Sequence, residues 1–304
     1  MRDLRELQLG AQRGYLRYAP PAWPGMAHLA KRVNHELREH PHRGIARTRW
    51  GDWLAVDTTD LIQRFLYIWG TWEPHMSAWL RRTLRPGDGY VDVGANIGYF
   101  SLLAAHLVGP GGRVVAVEAS PSVHRRLVRH VEYNRRDSVR TVHAAVSSKP
   151  ESVEFVLASD RNMGAAGIVP YEGQAKERFT VQARPLPELL ENEEIAKARV
   201  IKIDVEGAEG GVVRGLTPVL DRLRPDAEIS VEVTPSRMAR LGESVDDLLR
   251  TMTAHGFHAY RLHNSYAPAS YPAAMEHPLP PMRWRDPVAN ECDLVFSRRD
   301  VEAL

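Results

Sequence analysis

One stretch constrains this chain more than any other: Gly89-Tyr-Val-Asp-Val-Gly-Ala-Asn-Ile-Gly-Tyr-Phe100, in which a short apolar run ends in Asp92, Gly94, Asn96 and Gly98 and then becomes amphipathic. It reads as a strand, a tight loop and a helix. Gly94 lets the backbone turn sharply at the strand's end and approach a ligand, and Gly98 lets the next helix pack closely on the sheet. The dinucleotide fingerprint would need glycine at 96 and a small residue at 99, where this chain has Asn96 and Tyr99, so NAD is disfavoured. A glycine-rich turn without any ligand satisfies the same spacing, and the rest of the chain has to decide.

From Tyr90 onward apolar strands alternate with helical patterns, the sign of a doubly wound, mostly parallel sheet with helices on both faces. Seven strands are expected: Tyr90 to Val93, Arg113 to Val117, Val139 to Val146, Arg199 to Ile203, Ala227 to Val231, Phe257 to Leu262 and Glu291 to Ser297. Ser120-Pro121 is a cap followed by a first-turn proline. The polar segment from Glu151 to Arg184 departs from the alternation, with strands at 152–157 and 179–183 around a loop at 159–173. Before the sheet, residues 1–28 lack periodicity and read as a loose arm, Leu29 to Glu39 as a helix, 45–58 as a hairpin and Leu61 to Trp69 as an aromatic helix. A further helix begins near Pro74. This divides the chain into an arm, hairpin and lid helix over 1–72 and a sheet domain over 73–304, with a proline-rich loop at 263–290.

The 304 residues are 43% hydrophobic and carry a formal net charge of +2, too balanced for a nucleic-acid footprint. No apolar run approaches the ~20 residues that span a bilayer, and the N-terminus lacks the apolar centre of a signal peptide. A cytoplasmic protein without membrane or nucleic-acid partners is expected. The single cysteine, Cys292, excludes an internal disulfide and reads as a packed thiol.

Ligands of open α/β sheets bind outside the C-terminal strand ends, where Asp92, Glu118, Asp204 and Glu232 fall. The loop fits the D/E-x-G-x-G-x-G pattern that cradles S-adenosylmethionine (SAM), with Asn96 replacing the middle glycine. Glu118 follows that loop by a little more than ~20 residues, the distance at which an acidic strand end grips ribose hydroxyls. Asp92 would face the ligand's ammonium or orient the loop amides, while Ala119, Ser120 and Ala145 would border the adenine. Lys202 and Asp204 lie two apart in a strand and point to one face. Lys202 reads as half of a buried ion pair with Asp92 or Asp204, or as a catalytic lysine. Asp204, Glu206 and Glu209 could fix an acceptor or, less favoured, hold a hard divalent cation with Glu232 as a further ligand. His75, His143 and His263 stand near strand or loop ends without a distinguishing pattern.

Gly70-Thr-Trp-Glu73, Asp-Val-Gly-Ala-Asn-Ile-Gly at 92–98, Val-Glu-Ala-Ser-Pro at 117–121 and Ile-Lys-Ile-Asp-Val-Glu-Gly-Ala-Glu at 201–209 together resemble the FkbM family of SAM-dependent methyltransferases. The similarity covers roughly residues 65–260. It implies a Rossmann-like class I methyltransferase fold, SAM as cofactor, and methyl transfer to hydroxyls of sugars or secondary metabolites. Ala119 departs from the Glu-Pro that many relatives have. Asp204 is then expected to act as base or orienting group, aided by Lys202, Glu206, Glu209 and Glu232. The segment with Trp69, Trp72 and Glu73 is expected to cover the site, with Glu73 touching cofactor or acceptor, and the arm could join two copies of the chain. A non-catalytic SAM-binding or assembly subunit is the competing reading, for which the 204–209 cluster would be superfluous.

Overall fold

The protein, seen in a computed structural model, is described over residues 2–19, 23, 25–157 and 177–304. Two compact units emerge: the first gathers the described residues up to Ala78 together with 264–279, the second those from Trp79 to His263 and from Pro280 to Leu304.

The first unit begins with α1 (Arg2–Tyr18) and α2 (Met26–Glu39), followed by the hairpin β1 (Arg43–Arg47) and β2 (Trp53–Asp57), α3 (Leu61–Trp69) and the start of α4 (Pro74–Thr83). The expected loose arm is thus corrected: α1 is a helix. Its string of arginine, glutamine, leucine and alanine carries no proline, and Leu16 is buried. Met26, Ala30, Val33 and Leu37 recur at helical spacing and form the buried stripe of α2. Helix α3 starts where Asp60 accepts the Gln63 amide at 2.9 Å and stops at Gly70, whose left-handed backbone returns its N–H to Leu66.

The second unit runs through β3 (Gly89–Val93), α5 (Tyr99–Val108), β4 (Arg113–Glu118), α6 (Pro121–Tyr133) and β5 (Val139–His143). Next come β6 (Ala145–Val146), β7 (Glu151–Leu157), β8 (Glu177–Arg184), α7 (Leu186–Leu189) and α8 (Asn192–Lys197). The chain continues with β9 (Ala198–Ile203), α9 (Glu209–Leu216), β10 (Glu228–Val233), α10 (Pro235–Arg240), α11 (Val245–Ala254) and β11 (His258–Leu262). After α12 (Tyr271–Glu276), which lies in the first unit, β12 (Met282–Arg283) and β13 (Cys292–Ser297) complete it. The main sheet has the order β12-β11-β13-β10-β9-β3-β4-β5. Strands β5, β4, β3, β9 and β10 are parallel, and β13 is antiparallel between β10 and β11.

The chain steps outward from β3 to β4 and β5, then returns beside β3 and steps the other way from β9 to β10. Right-handed crossovers in opposite directions put their helices on opposite faces, so the fold is Rossmann-like α/β. The point of reversal lies between β3 and β9. Both faces being covered, β3 is buried at every residue and its neighbours read as nearly unbroken apolar runs.

Two further sequence expectations change. The third expected strand is two strands, because the chain leaves the main sheet at Ala144 and pairs Ala145 with Ala183 in a separate sheet, β6-β8-β7. The segment 263–290 contains α12 and β12, and the latter adds a two-residue eighth strand at the sheet's edge. The expected loop at 159–173 lies outside the described residues. Among those described, no helix is long and apolar enough to cross a membrane.

At the end of the sheet away from the strand tips, Arg199 of β9 reaches Glu228 of β10 at 3.3 Å, and Trp79 Nε1 donates to the same carboxyl at 3.1 Å. Glu228 is 2% exposed, so its charge depends on that guanidinium. Arg199→Leu should cost about 3–5 kcal/mol, the usual penalty for leaving a buried charge unpaired. Urea denaturation measures it, and a loss below about 1 kcal/mol would show that Glu228 is simply protonated in the folded protein.

Candidate active site

The C-terminal tips of β3, β4, β9 and β10 converge through the backbone of their loops. Gly94 has φ 83°, and a Cβ there would lie 1.8 Å from the Asp204 carbonyl oxygen. Only glycine allows this approach, which is closed by the Asp204 amide donating to Val93 O at 3.0 Å. Asn96 is also left-handed, φ 52°, a conformation asparagine tolerates better than most residues, which is why it can replace the middle glycine. At Gly98 a Cβ would meet Leu127 at 2.5 Å, so the glycine brings α5 against α6.

Glu118 is the anchor of this loop. Its Oε2 accepts the Asn96 amide at 2.9 Å and its Oε1 the Ser120 amide at 2.8 Å. Each oxygen keeps a second lone pair, so the carboxylate can still accept two hydroxyl donors. Burial pushes its pKa up to about 7 against the pull of those two amides. Ser120 also accepts the Val123 amide and caps α6. Ala119 packs on the small cluster of Ala145, Val181 and Ala183, and its carbonyl lies 3.1 Å from His143 Nε2.

The second focus is a group of charges at the sheet's switch point. Asp92 and Lys202 are directly opposite in the β3–β9 register, and both are buried. Asp92 Oδ2 accepts from Ser101 Oγ at 2.6 Å, while its Oδ1 is buried without a partner. Burial raises the Asp92 pKa despite Lys202. Lys202 Nζ donates to Asp204 Oδ2 at 2.8 Å and lies 5.1 Å from the centre of the Phe100 ring. The ion pair with Asp204, one of the roles expected for Lys202, is present. Burial works to raise the Asp204 pKa, but Lys202 and hydrogen bonds from Glu232 and Lys202 hold it below its ordinary value.

The remaining candidates separate. Glu209 is 1% exposed, and its Oε1 accepts the amides of Val205 at 3.2 Å and Gly207 at 2.9 Å. It braces the 204–209 loop from beneath, a correction to its expected place beside an acceptor, and burial raises its pKa to about 7. Glu206, left-handed at φ 60°, is ion-paired with Arg237. Glu73 belongs to the first unit, where it is buried, left-handed at φ 41°, and accepts from Tyr266 Oη at 3.1 Å. His75 Nδ1 accepts the Leu279 amide. Cys292 is half-buried and burial raises its thiol to about 11, which leaves it a packing group. Among the described residues no cluster of three or more His, Cys, Asp or Glu is arranged to hold a metal.

Sequence reasoning missed Ser101, Phe100 and Arg237. Ser101 is nine residues beyond Asp92, on the first turn of α5, where a hydroxyl facing back to the preceding strand has no sequence signature. Arg237 closes on Glu206 only because α10 folds back from the end of β10.

The methyltransferase FkbM domain model matches residues 92–259, more than half of the chain. The chain belongs to the FkbM methyltransferase family. It is 39% identical over 87 residues to the protein-L-isoaspartate O-methyltransferase of Aeropyrum pernix, an alignment that covers 29% of this chain and only 28% of that protein. It is 28% identical over 160 residues to the enzyme of the same name from Ignicoccus hospitalis, covering 48% and 67%. Among solved structures it is similar to methyltransferase FkbM from Methylobacillus flagellatus KT, at 14% identity over 78% of this chain and 52% of that one, TM-score 0.41. It is also similar to Aeropyrum pernix fibrillarin with bound SAM, at 12% identity over 84% and 82%, TM-score 0.43. The matched domain is that of a methyltransferase.

The residues at the strand tips fit SAM as cofactor. A carboxylate with two spare lone pairs suits a ribose diol, and the unpartnered, buried Asp92 Oδ1 suits the cationic part of the ligand. If Glu118 accepts the ribose hydroxyls, binding must deprotonate it. Glu118 has a raised pKa in the free protein, and hydroxyl donors favour its charged form, so affinity falls as pH drops through about 7. Calorimetry at pH 8 and pH 6 should show SAM binding weaker by about tenfold at the lower pH, the factor for one proton bound per pH unit. Glu118→Gln should bind weakly at both. A pH-independent affinity in the wild type would detach Glu118 from the ribose.

Proposed function

We propose that this methyltransferase methylates a hydroxyl group of a small molecule such as a sugar or a secondary metabolite. SAM supplies an activated methyl on a sulfonium, so the protein's tasks are to hold the donor, align the acceptor and take its proton. Gly94, Asn96 and Gly98 shape the donor's loop, Glu118 takes the ribose, Asp92 the cationic end, and Ala119, Ser120 and Ala145 the adenine side. The acceptor side belongs to Asp204, with Lys202 and Glu232 as its partners.

The observation that carries this reading is the Lys202–Asp204 contact at 2.8 Å, with Lys202 buried. A lysine placed inside an apolar strand costs desolvation, and here it keeps one carboxylate ionised at the tip of β9. An aliphatic hydroxyl is too weak an acid to lose its proton beforehand. A carboxylate that is held ionised can accept that proton as the methyl transfers, and Glu232 can share it.

A second reading is transfer to a carboxyl group of a protein, favoured by the curated relatives named protein-L-isoaspartate O-methyltransferase. The two differ chemically at Asp204. A carboxylate acceptor is already deprotonated and needs no base, whereas a hydroxyl does. Asp204→Asn keeps shape and hydrogen bonding, so on a hydroxyl acceptor it should lower kcat by ~10²–10⁴-fold with SAM affinity nearly unchanged. The measurement is product mass after incubation with labelled SAM and a panel of hydroxyl and carboxyl acceptors. Turnover of a hydroxyl acceptor by the Asn variant at the wild-type rate would sink the base assignment, and methylation confined to peptide carboxyls would favour the second reading.

A further inference from the structure

Ser101 carries a hydroxyl that packing alone does not call for. It lies on the first turn of α5, whose other residues from Tyr99 to Ala105 are aromatic or aliphatic and buried, and it is itself 0% exposed. Alanine would suit such a helix better, because it is the best helix former and a buried hydroxyl costs free energy unless it is hydrogen-bonded. A serine within a helix can turn its hydroxyl back to the carbonyl four residues earlier. Ser101 instead donates across to Asp92 Oδ2 of β3 at 2.6 Å, the length of a hydroxyl bonded to a charged carboxylate.

That bond fixes a group whose own torsion leaves it free. Asp92 is 1% exposed in a strand buried at every residue, and its Oδ1 is buried without a partner. The last torsion of an aspartate is soft, so the side chain by itself does not choose where its oxygens point. Because the carboxyl group is planar, holding Oδ2 also sets the direction of Oδ1. Lys202, opposite Asp92 in the β3–β9 register, donates to Asp204 and lies 5.1 Å from the centre of the Phe100 ring. Consecutive residues of one helix turn thus meet both buried charges, Phe100 the ammonium and Ser101 the carboxylate. Burial raises the Asp92 pKa, while Lys202 and the Ser101 hydroxyl favour the charged form. A buried carboxylate oxygen without a donor is costly, and a ligand's ammonium supplies both the donor and the opposite charge.

We propose that Ser101 is a positioning residue for the cofactor: its hydroxyl holds the Asp92 carboxyl so that the second oxygen accepts from the methionyl ammonium of SAM. This rests on Asp92 taking the cationic end of SAM. Ser101, with no exposed surface, acts through Asp92 rather than on the ligand.

Two ligands isolate the effect. S-adenosylhomocysteine and 5′-methylthioadenosine share the adenosine thioether, and only the first carries the ammonium-bearing chain. Calorimetry on the full-length protein should show Ser101→Ala weakening S-adenosylhomocysteine by roughly three- to tenfold, the loss of one ordinary hydrogen bond, with 5′-methylthioadenosine unchanged within about twofold. Asp92→Asn should weaken S-adenosylhomocysteine by about tenfold or more, again sparing the other ligand. In the double variant the Ser101 change should add nothing, because it acts only through Asp92. Ser101→Cys keeps the shape with a weaker donor and should fall between the wild type and Ser101→Ala. A general loosening of α5 would weaken both ligands alike, and that result overturns the proposal. If Asp92→Asn shifts the ratio of the two affinities while Ser101→Ala does not, the role of Ser101 fails alone. If neither variant shifts that ratio, Asp92 does not take the ammonium, and the reading beneath the proposal fails with it.

Discussion

At the switch point of the sheet two loops touch backbone to backbone, where the Asp204 amide bonds to the Val93 carbonyl directly beneath Gly94. The rest of the site depends on this contact. It brings the glycine loop of β3 and the acidic loop of β9 within one hydrogen bond of each other, with no room for a side chain between them. Two sets of chemical groups separated by more than a hundred residues of sequence therefore share one end of the sheet. Glycine is required there for a steric reason, and its left-handed backbone adds a second.

The charges around this contact explain one another. Lys202 is inside the sheet, opposite the equally buried Asp92 and hydrogen-bonded to the partly exposed Asp204, so two buried ionisable groups and one at the solvent edge share the switch point. Burial alone raises the pKa of a carboxyl group, as it does for Asp92 and Glu118. Asp204 escapes because the ammonium is in direct contact with it. One carboxylate at the site is thus kept charged while its neighbours are poised nearer neutrality, a division of roles set by position rather than by residue type. Glu209 adds a mechanical part: its buried carboxyl ties down the amides of Val205 and Gly207 and so holds the loop that carries Asp204.

The sequence by itself determined the parallel core, because strands buried on both faces must be apolar throughout and the loops between them must carry glycine, capping serine and first-turn proline at set places. The strand-loop-helix at 89–100, the Ser120 cap and the acidic ends of β4 and β9 were legible for that reason, as was the two-residue spacing that puts Lys202 and Asp204 on one face. Their meaning as chemical groups was legible too, since a carboxylate abutting an apolar strand has few idle explanations.

Tertiary structure decided what those groups touch. Glu206 and Glu209 look equivalent to Asp204 in a run of acidic residues, yet one pairs with Arg237 from a helix thirty positions on and the other turns into its own loop. Helix α1 was hidden because its residues show no clean apolar period in the sequence, and most helical stability in a protein comes from packing rather than from propensity. The break at Ala144 was hidden because a continuous apolar run does not record which of two sheets each residue joins. Local pattern dictates element type and side-chain face through fixed backbone geometry, whereas ion-pair partners, burial and the resulting pKa values arise only when distant segments meet.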